Sequence, residues 1–200
     1  MKKSLILAVA AFPLFLVSCA APTHKTSLRQ ASPVSMAASA ERTGENQYSY
    51  WSDHGLAAPL QVRIDLSEQT AYFYRGDVKI GQSRVATGRS GHATPTGSFT
   101  ISEKVVAKRS SLYGRIYDAD GNLTEGDADT RRHSVPRGGK FVGSPMPYWM
   151  RLTSDGIGMH VGPIPNPGSP ASAGCVRMPR EMARTLYEKV RVGTKVTIVR

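Results

Sequence analysis

From Leu60 onward, Val62, Ile64 and Leu66 alternate with Gln61, Arg63 and Asp65. A two-residue period puts alternate side chains on opposite faces, so this stretch buries one face and wets the other only as a β-strand. The texture continues: Ala71-Tyr72-Phe73-Tyr74 meets Val78-Lys79-Ile80 across Arg75-Gly76-Asp77, whose glycine supplies turn geometry. A β-hairpin is expected there, and the Arg-Gly-Asp tripeptide is read as its turn rather than as an adhesion signal. Residues 83–87 and the alternating Phe99, Ile101 and Glu103 read as strands on either side of a tight loop, residues 88–97. Residues 108–143 are rich in Gly, Asp and Arg with few apolar repeats, and read as a long excursion from the core. Pro179 opens a helix in which Met182, Leu186 and Val190 share a face, Gly193 stops it, and residues 195–199 form a closing strand. The expected class is mostly β, a sandwich or barrel-like sheet with a short C-terminal helix.

The preceding residues have a different character. Lys2 and Lys3 lead an apolar run, residues 5–17, laid out like a secretory signal and too short to span a membrane as a mature helix. Leu16-Val17-Ser18-Cys19 is similar to the lipobox at which a bacterial lipoprotein is cut and its cysteine lipid-modified. Ordinary cleavage near Ala20 or Ala21, discarding Cys19, is the competing reading. Residues 1–18 are thus expected to be a signal peptide, with Cys19 the lipid-bearing first mature residue. Residues 19–59, mostly Ala, Ser, Thr, Gln and Pro, read as a flexible tether, although Tyr48, Tyr50 and Trp51 are suited to packing on a domain edge. The folded domain is expected over residues 60–200. Lipid on Cys19 places it in the cell envelope on a membrane, and Ala20 in place of an aspartate points to the outer membrane, facing the periplasm.

The formal charge of +11 favours anionic surroundings such as cell-wall carboxylates or lipid head groups. Nucleic acid is not an expected partner of an exported chain without zinc-finger, recognition-helix or aromatic RNA-binding signatures. Asp118-Ala119-Asp120-Gly121-Asn122 has the outline of a calcium loop, but Leu123 stands where its glycine belongs and Asp129 at its last position. An ordinary turn is the better reading, and neither metal nor cofactor is expected.

Of the two cysteines, lipidation of Cys19 leaves Cys175 without an intramolecular partner in an oxidising compartment. Cys175 is either a small buried side chain or a nucleophile. A nucleophilic thiolate needs a base or positive charge nearby and a site for the oxyanion on the carbonyl it attacks. Gly174 allows substrate to approach backbone N–H groups, and Arg177 adds positive charge. Among five histidines, His24 falls in the tether and His54 before the sheet, leaving His92, His133 and His160. His160 is favoured as base because it follows the strand-like Gly156-Ile157-Gly158-Met159, and the Gly- and Pro-rich residues 162–168 are able to fold their neighbours back.

His160 followed by Ser172-Ala173-Gly174-Cys175-Val176-Arg177-Met178 resembles the signature of the L,D-transpeptidase catalytic domain of the YkuD type. "IDLSEQTAYFY", "ATGRSGHATPTGSFTI" and "YGRIYDADG" are similar to that family's opening strands, its TPTG turn and its substrate-side excursion, so the resemblance covers most of residues 60–200. It implies that Cys175 attacks a peptidoglycan stem tetrapeptide at the L-centre of its diamino acid, expelling D-alanine and forming a thioester that an amine resolves. The amine implied is that of a neighbouring stem peptide; a lysine of an envelope lipoprotein is the other candidate acceptor. His160 is implied as general base and later acid, oriented by a backbone carbonyl around Val161 or Gly162. Ser172 and Gly174 are implied to shape the loop, N–H groups near Cys175 to form the oxyanion hole, and Arg177 to support the loop or meet a substrate carboxylate. Carbapenems inhibit this family by acylating its cysteine. Ala173 departs from the histidine the family often has there. A cysteine hydrolase on the same scaffold and a non-catalytic wall-binding module are the alternatives.

Overall fold

The computed structural model describes residues 48–53 and 55–200. In chain order the strands are β1 (Tyr50–Trp51), β2 (Leu60–Asp65), β3 (Thr70–Arg75), β4 (Val78–Arg84), β5 (Gly97–Thr100), β6 (Glu103–Tyr117), β7 (Leu123–Asp129), β8 (Lys140–Arg151), β9 (Gly158–Val161), β10 (Val176–Met178) and β11 (Lys195–Val199). Helix α1 (Arg180–Lys189) lies between the last two. They form two sheets, ordered β1-β4-β3-β2-β11-β5 and β10-β9-β8-β6-β7. Every pairing is antiparallel except β2 with β11 and β9 with β10.

The alternation at the start of the first sheet has the expected result: Val62 and Ile64 face inward. They pack with Phe73, Ile80, Val196 and Ile198 against Met150, Met159, Val176 and Met178 of the second sheet and Met182, Ala183 and Leu186 of α1. The chain crosses between sheets at Ile101 and Ser102, whose N–H groups donate to Thr194 O and Arg151 O, each at 3.0 Å. This crossing splits the single strand expected through Phe99, Ile101 and Glu103 into β5 and β6.

Three other expectations are corrected. Residues 83–87 do not make a separate strand: β4 runs to Arg84, and the next residues leave the sheet because Gln69 captures them. The Val85 N–H donates to Gln69 O at 2.9 Å and the Thr87 N–H to Gln69 Oε1 at 2.8 Å. Residues 108–143 are a three-stranded ribbon of β6, β7 and β8 rather than an irregular excursion. Both faces of much of it are wet, so backbone pairing holds it without an apolar repeat, and bulges between Gly114 and Ile116 shift the register. Asp118 makes the turn from β6 to β7, its Oδ1 accepting the N–H groups of Asp120 and Asn122 at 3.0 and 2.8 Å. Helix α1 ends at Lys189 with Val190 extended, so Gly193 belongs to the following turn.

The boundary expected between residues 59 and 60 also moves, because folded structure is present from Tyr48. Strand β1 pairs with β4, the Trp51 ring lies 4.9 Å from that of Phe73, and the Tyr48 hydroxyl is 2.8 Å from Thr70 Oγ1. The Arg84 guanidinium covers the Tyr48 ring at 3.5 Å. Residues 1–47, with the expected signal peptide, Cys19 and most of the tether, lie outside the described residues.

Trp51 is half-buried at the sheet edge. Trp51→Ala should lower stability by about 2 kcal/mol through lost apolar burial and ring contact with Phe73. Urea unfolding checks this, and an unchanged midpoint would show that β1 adds nothing to the domain.

Candidate active site

Strands β9 and β10 run parallel with Val176 opposite Met159, Arg177 opposite His160 and Met178 opposite Val161. Met159, Val176 and Met178 are buried in the core. By alternation, His160 and Arg177 point to the other face, and Cys175, at the bend leading into β10, lies close enough to Arg177 to feel its charge. The β-pairing thus brings two stretches of chain together, one carrying His160 and the other Arg177 with Cys175 just ahead of it.

The loop leading to Cys175 is held by its own buried polar groups. Ser172 Oγ accepts the Gly174 N–H at 3.0 Å and donates to Cys175 O. Thr94, also buried, donates its hydroxyl proton to Gly174 O at 2.7 Å and accepts the Gly88 N–H at 2.8 Å. Gly174 has φ +113°, and a Cβ there would come within 2.7 Å of Ile157 Cδ1, so no other residue fits without strain. The N–H groups of Ala171 and Ser172 both donate to Thr87 O at 2.9 Å, and Thr87 Oγ1 accepts Gln69 Nε2 at 2.7 Å. Gln69, only 1% exposed and at φ +49°, therefore ties the β2–β3 turn to the cysteine loop.

His160 is 6% exposed. Its Nδ1 lies 2.7 Å from Val161 O, and since a carbonyl only accepts, Nδ1 carries the proton and Nε2 the free lone pair. The Trp149 ring sits 6.0 Å from the imidazole and is anchored by its Nε1–H to Glu103 Oε2 at 2.9 Å. Gly158 makes room for it, since a Cβ there would be 2.6 Å from the Trp149 ring. Arg177 is half-buried, its stem against Gly162, where a Cβ would be 2.6 Å from Arg177 Cγ.

Residues 59–198 match the family model of the L,D-transpeptidase catalytic domain. This chain belongs to that family. Its fold is shared with an L,D-transpeptidase from Mycobacterium smegmatis at 18% identity and TM-score 0.55, covering 72% of this chain and 59% of that one. It is shared with one from Stackebrandtia nassauensis at 22% identity and TM-score 0.52, covering 72% and 57%. An L,D-transpeptidase solved in complex with imipenem aligns at 20% identity and TM-score 0.53, covering 70% and 58%. The chain thus spans less than two thirds of each solved protein. No curated protein matches it.

Within this L,D-transpeptidase domain the remaining histidines have other settings. His133 Nδ1 accepts the Asp129 N–H at 3.0 Å, and the His92 ring packs edge-on to Tyr113 at 6.3 Å. His24 and His54 lie outside the described residues. Ala173, where the family often has histidine, is partly exposed between two buried neighbours. Among the described residues no three of His, Cys, Asp and Glu gather to hold a metal ion. Thr94, Gln69 and Trp149 escaped the sequence reading as site residues; the only signal was that Thr94 and Gln69 fall within family-like stretches.

The electrostatics favour an uncharged pair at rest. Burial pushes the Cys175 thiol up, opposed by the Gly158 N–H and the charges of Arg177 and Arg151. Its S–H donates to Gly156 O at 3.7 Å. Burial lowers His160 to about 4, with the Val161 carbonyl opposing and Arg177 adding to the fall. Arg177 is itself lowered by burial and by the neighbouring charge of Arg89. Thiol and imidazole are thus both neutral near pH 7.

Because the unfolded His160 protonates near 6.5 and the folded one only near 4, the unfolded state takes up the proton first as pH falls. The stability from its neutral form is complete above about pH 6.5 and is lost between there and about pH 4. Wild type should lose on the order of 3 kcal/mol more than His160→Gln over that window. Denaturant unfolding across pH tests this, and parallel profiles would refute the depressed titration.

Proposed function

We propose that this chain is a peptidoglycan L,D-transpeptidase with Cys175 as nucleophile and His160 as general base and then acid. The observation that carries the reading is the β9–β10 register, in which Arg177 lies opposite a buried His160 whose Nε2 lone pair is free, while the partly exposed Cys175 just before β10 feels the charge of the same arginine. The donor is a stem tetrapeptide. As Sγ bonds to the carbonyl carbon at the L-centre of the diamino acid, the thiol proton passes to His160 Nε2 and the carbonyl electron pair moves to oxygen. Collapse breaks the C–N bond, His160 returns the proton to the departing D-alanine amine, and a thioester remains. The acceptor amine then loses a proton to His160 and attacks the thioester, re-forming the amide and releasing the thiol. An amine from the third residue of a neighbouring stem gives a 3-3 cross-link; a lysine of an envelope lipoprotein gives protein attachment. Positive charge from Arg177 and Arg151 beside Cys175 suits an acidic stem.

Incubation with disaccharide-tetrapeptide, with products identified by mass, should yield cross-linked dimer and free D-alanine. Cys175→Ala should abolish it and His160→Ala should lower it about 10²–10⁴-fold, whereas His92→Ala and His133→Ala should not. Tripeptide without dimer would make the protein a hydrolase, and activity surviving loss of Cys175 would overturn the site. Imipenem should add covalently to wild type and leave Cys175→Ala unmodified.

We also propose that residues 1–18 are removed as a signal peptide and that lipid on Cys19 holds the domain on the outer membrane, facing the periplasm. Support comes from the run ending in Leu16-Val17-Ser18-Cys19 and from the polar residues that follow. Several acyl chains at about 0.8 kcal/mol per buried methylene make such an attachment lasting. Cys19→Ala should move the protein to the soluble fraction; continued pelleting with membranes would place the anchor elsewhere.

A further inference from the structure

Gly174 and Cys175 share a peptide unit whose C=O and N–H point in opposite directions, since the amide is planar and no described peptide bond is cis. The Thr94 hydroxyl, 4% exposed, sits 2.7 Å from the carbonyl end of that unit. A hydroxyl has one proton. The Gly88 N–H is the donor on one side of Thr94 Oγ1, so the proton goes to Gly174 O. The Cys175 N–H at the other end of the unit is thereby aimed away from Thr94, and no acceptor takes it among the described residues. The preceding amide is already engaged, because the Gly174 N–H donates to Ser172 Oγ. Of these two amides, the one left for a developing oxyanion is the nucleophile's own, which lies closest to an acyl carbon bonded to its Sγ.

We infer that Thr94 is a positioning residue for acyl transfer, its hydroxyl fixing the Gly174–Cys175 peptide plane so that the Cys175 N–H meets the oxyanion. The proposed function supplies the natural substrate for this step, but the step is testable on small probes without it. Thr94 touches neither thiol nor substrate; it acts through the orientation of one peptide group. Nothing in the thiol's own reactivity depends on that orientation, which separates this role from general support of the loop.

The test compares two reactions of Cys175 in the whole protein. With p-nitrophenyl acetate an oxyanion develops on the attacked carbonyl; with iodoacetamide the thiolate attacks a saturated carbon and none does. Thr94→Val, which keeps the shape and removes the hydroxyl, should slow acetylation about 10- to 100-fold while changing alkylation by less than about twofold. Thr94→Ser should restore most of the acetylation rate. Equal losses in both reactions, an unaffected Thr94→Val, or a Thr94→Ser as slow as Thr94→Val would each overturn the inference, the last whether or not Thr94→Val folds. Wild type that is acetylated yet makes neither dimer nor tripeptide from disaccharide-tetrapeptide would refute the proposed function and leave the role of Thr94 standing.

Discussion

The parallel pairing of β9 with β10 is the constraint on which the site depends. A side chain's face in a strand is decided by register, and a slip of one residue would turn His160 into the core and Met159 out of it. The slip is prevented by the methionines and Val176 on the core side, whose burial has no equivalent in the other register. Packing of an apolar layer thus specifies the polar one above it. The same strand pair is extended on its outer side by the antiparallel bridge between Ala86 and Arg177, so the segment behind Gln69 also depends on it.

Desolvation has opposite effects on the acid and the base and suppresses the charged form of both. Cys175 is harder to ionise and His160 harder to protonate than in water, so the resting pair stays neutral although cationic side chains lie close by. Catalytic cysteines that rest as thiolate–imidazolium pairs are nucleophilic before substrate binds. Here the buried setting keeps the thiol protonated, which slows its oxidation.

Much of the fold was legible because local chemistry and tertiary context agree. The alternation in β2, the hairpin of β3 and β4, the apolar face of α1 and the closing β11 all have one buried side, and periodicity reports that side directly. The β6–β8 ribbon was not legible, since strands wet on both faces need no apolar period and bulges break what period there is. Cys175 and His160 could be paired as candidates from residue chemistry and family resemblance together. Gln69 and Thr94 could not, because each acts through backbone groups far along the chain, up to 80 residues away for Thr94 and Gly174. A glutamine in Ser67-Glu68-Gln69-Thr70 looks like any polar turn until the segment it receives is in place.

Strand β11 lies inside its sheet, between β2 and β5. Its Val196 and Ile198 complete a core begun by Val62 and Ile64, roughly the whole length of the domain earlier. A chain emerging from its amino end therefore offers an unfilled slot in the first sheet until residues 195–199 are out. Early strands cannot settle irreversibly on a partial core, and folding is held back until nearly everything is present.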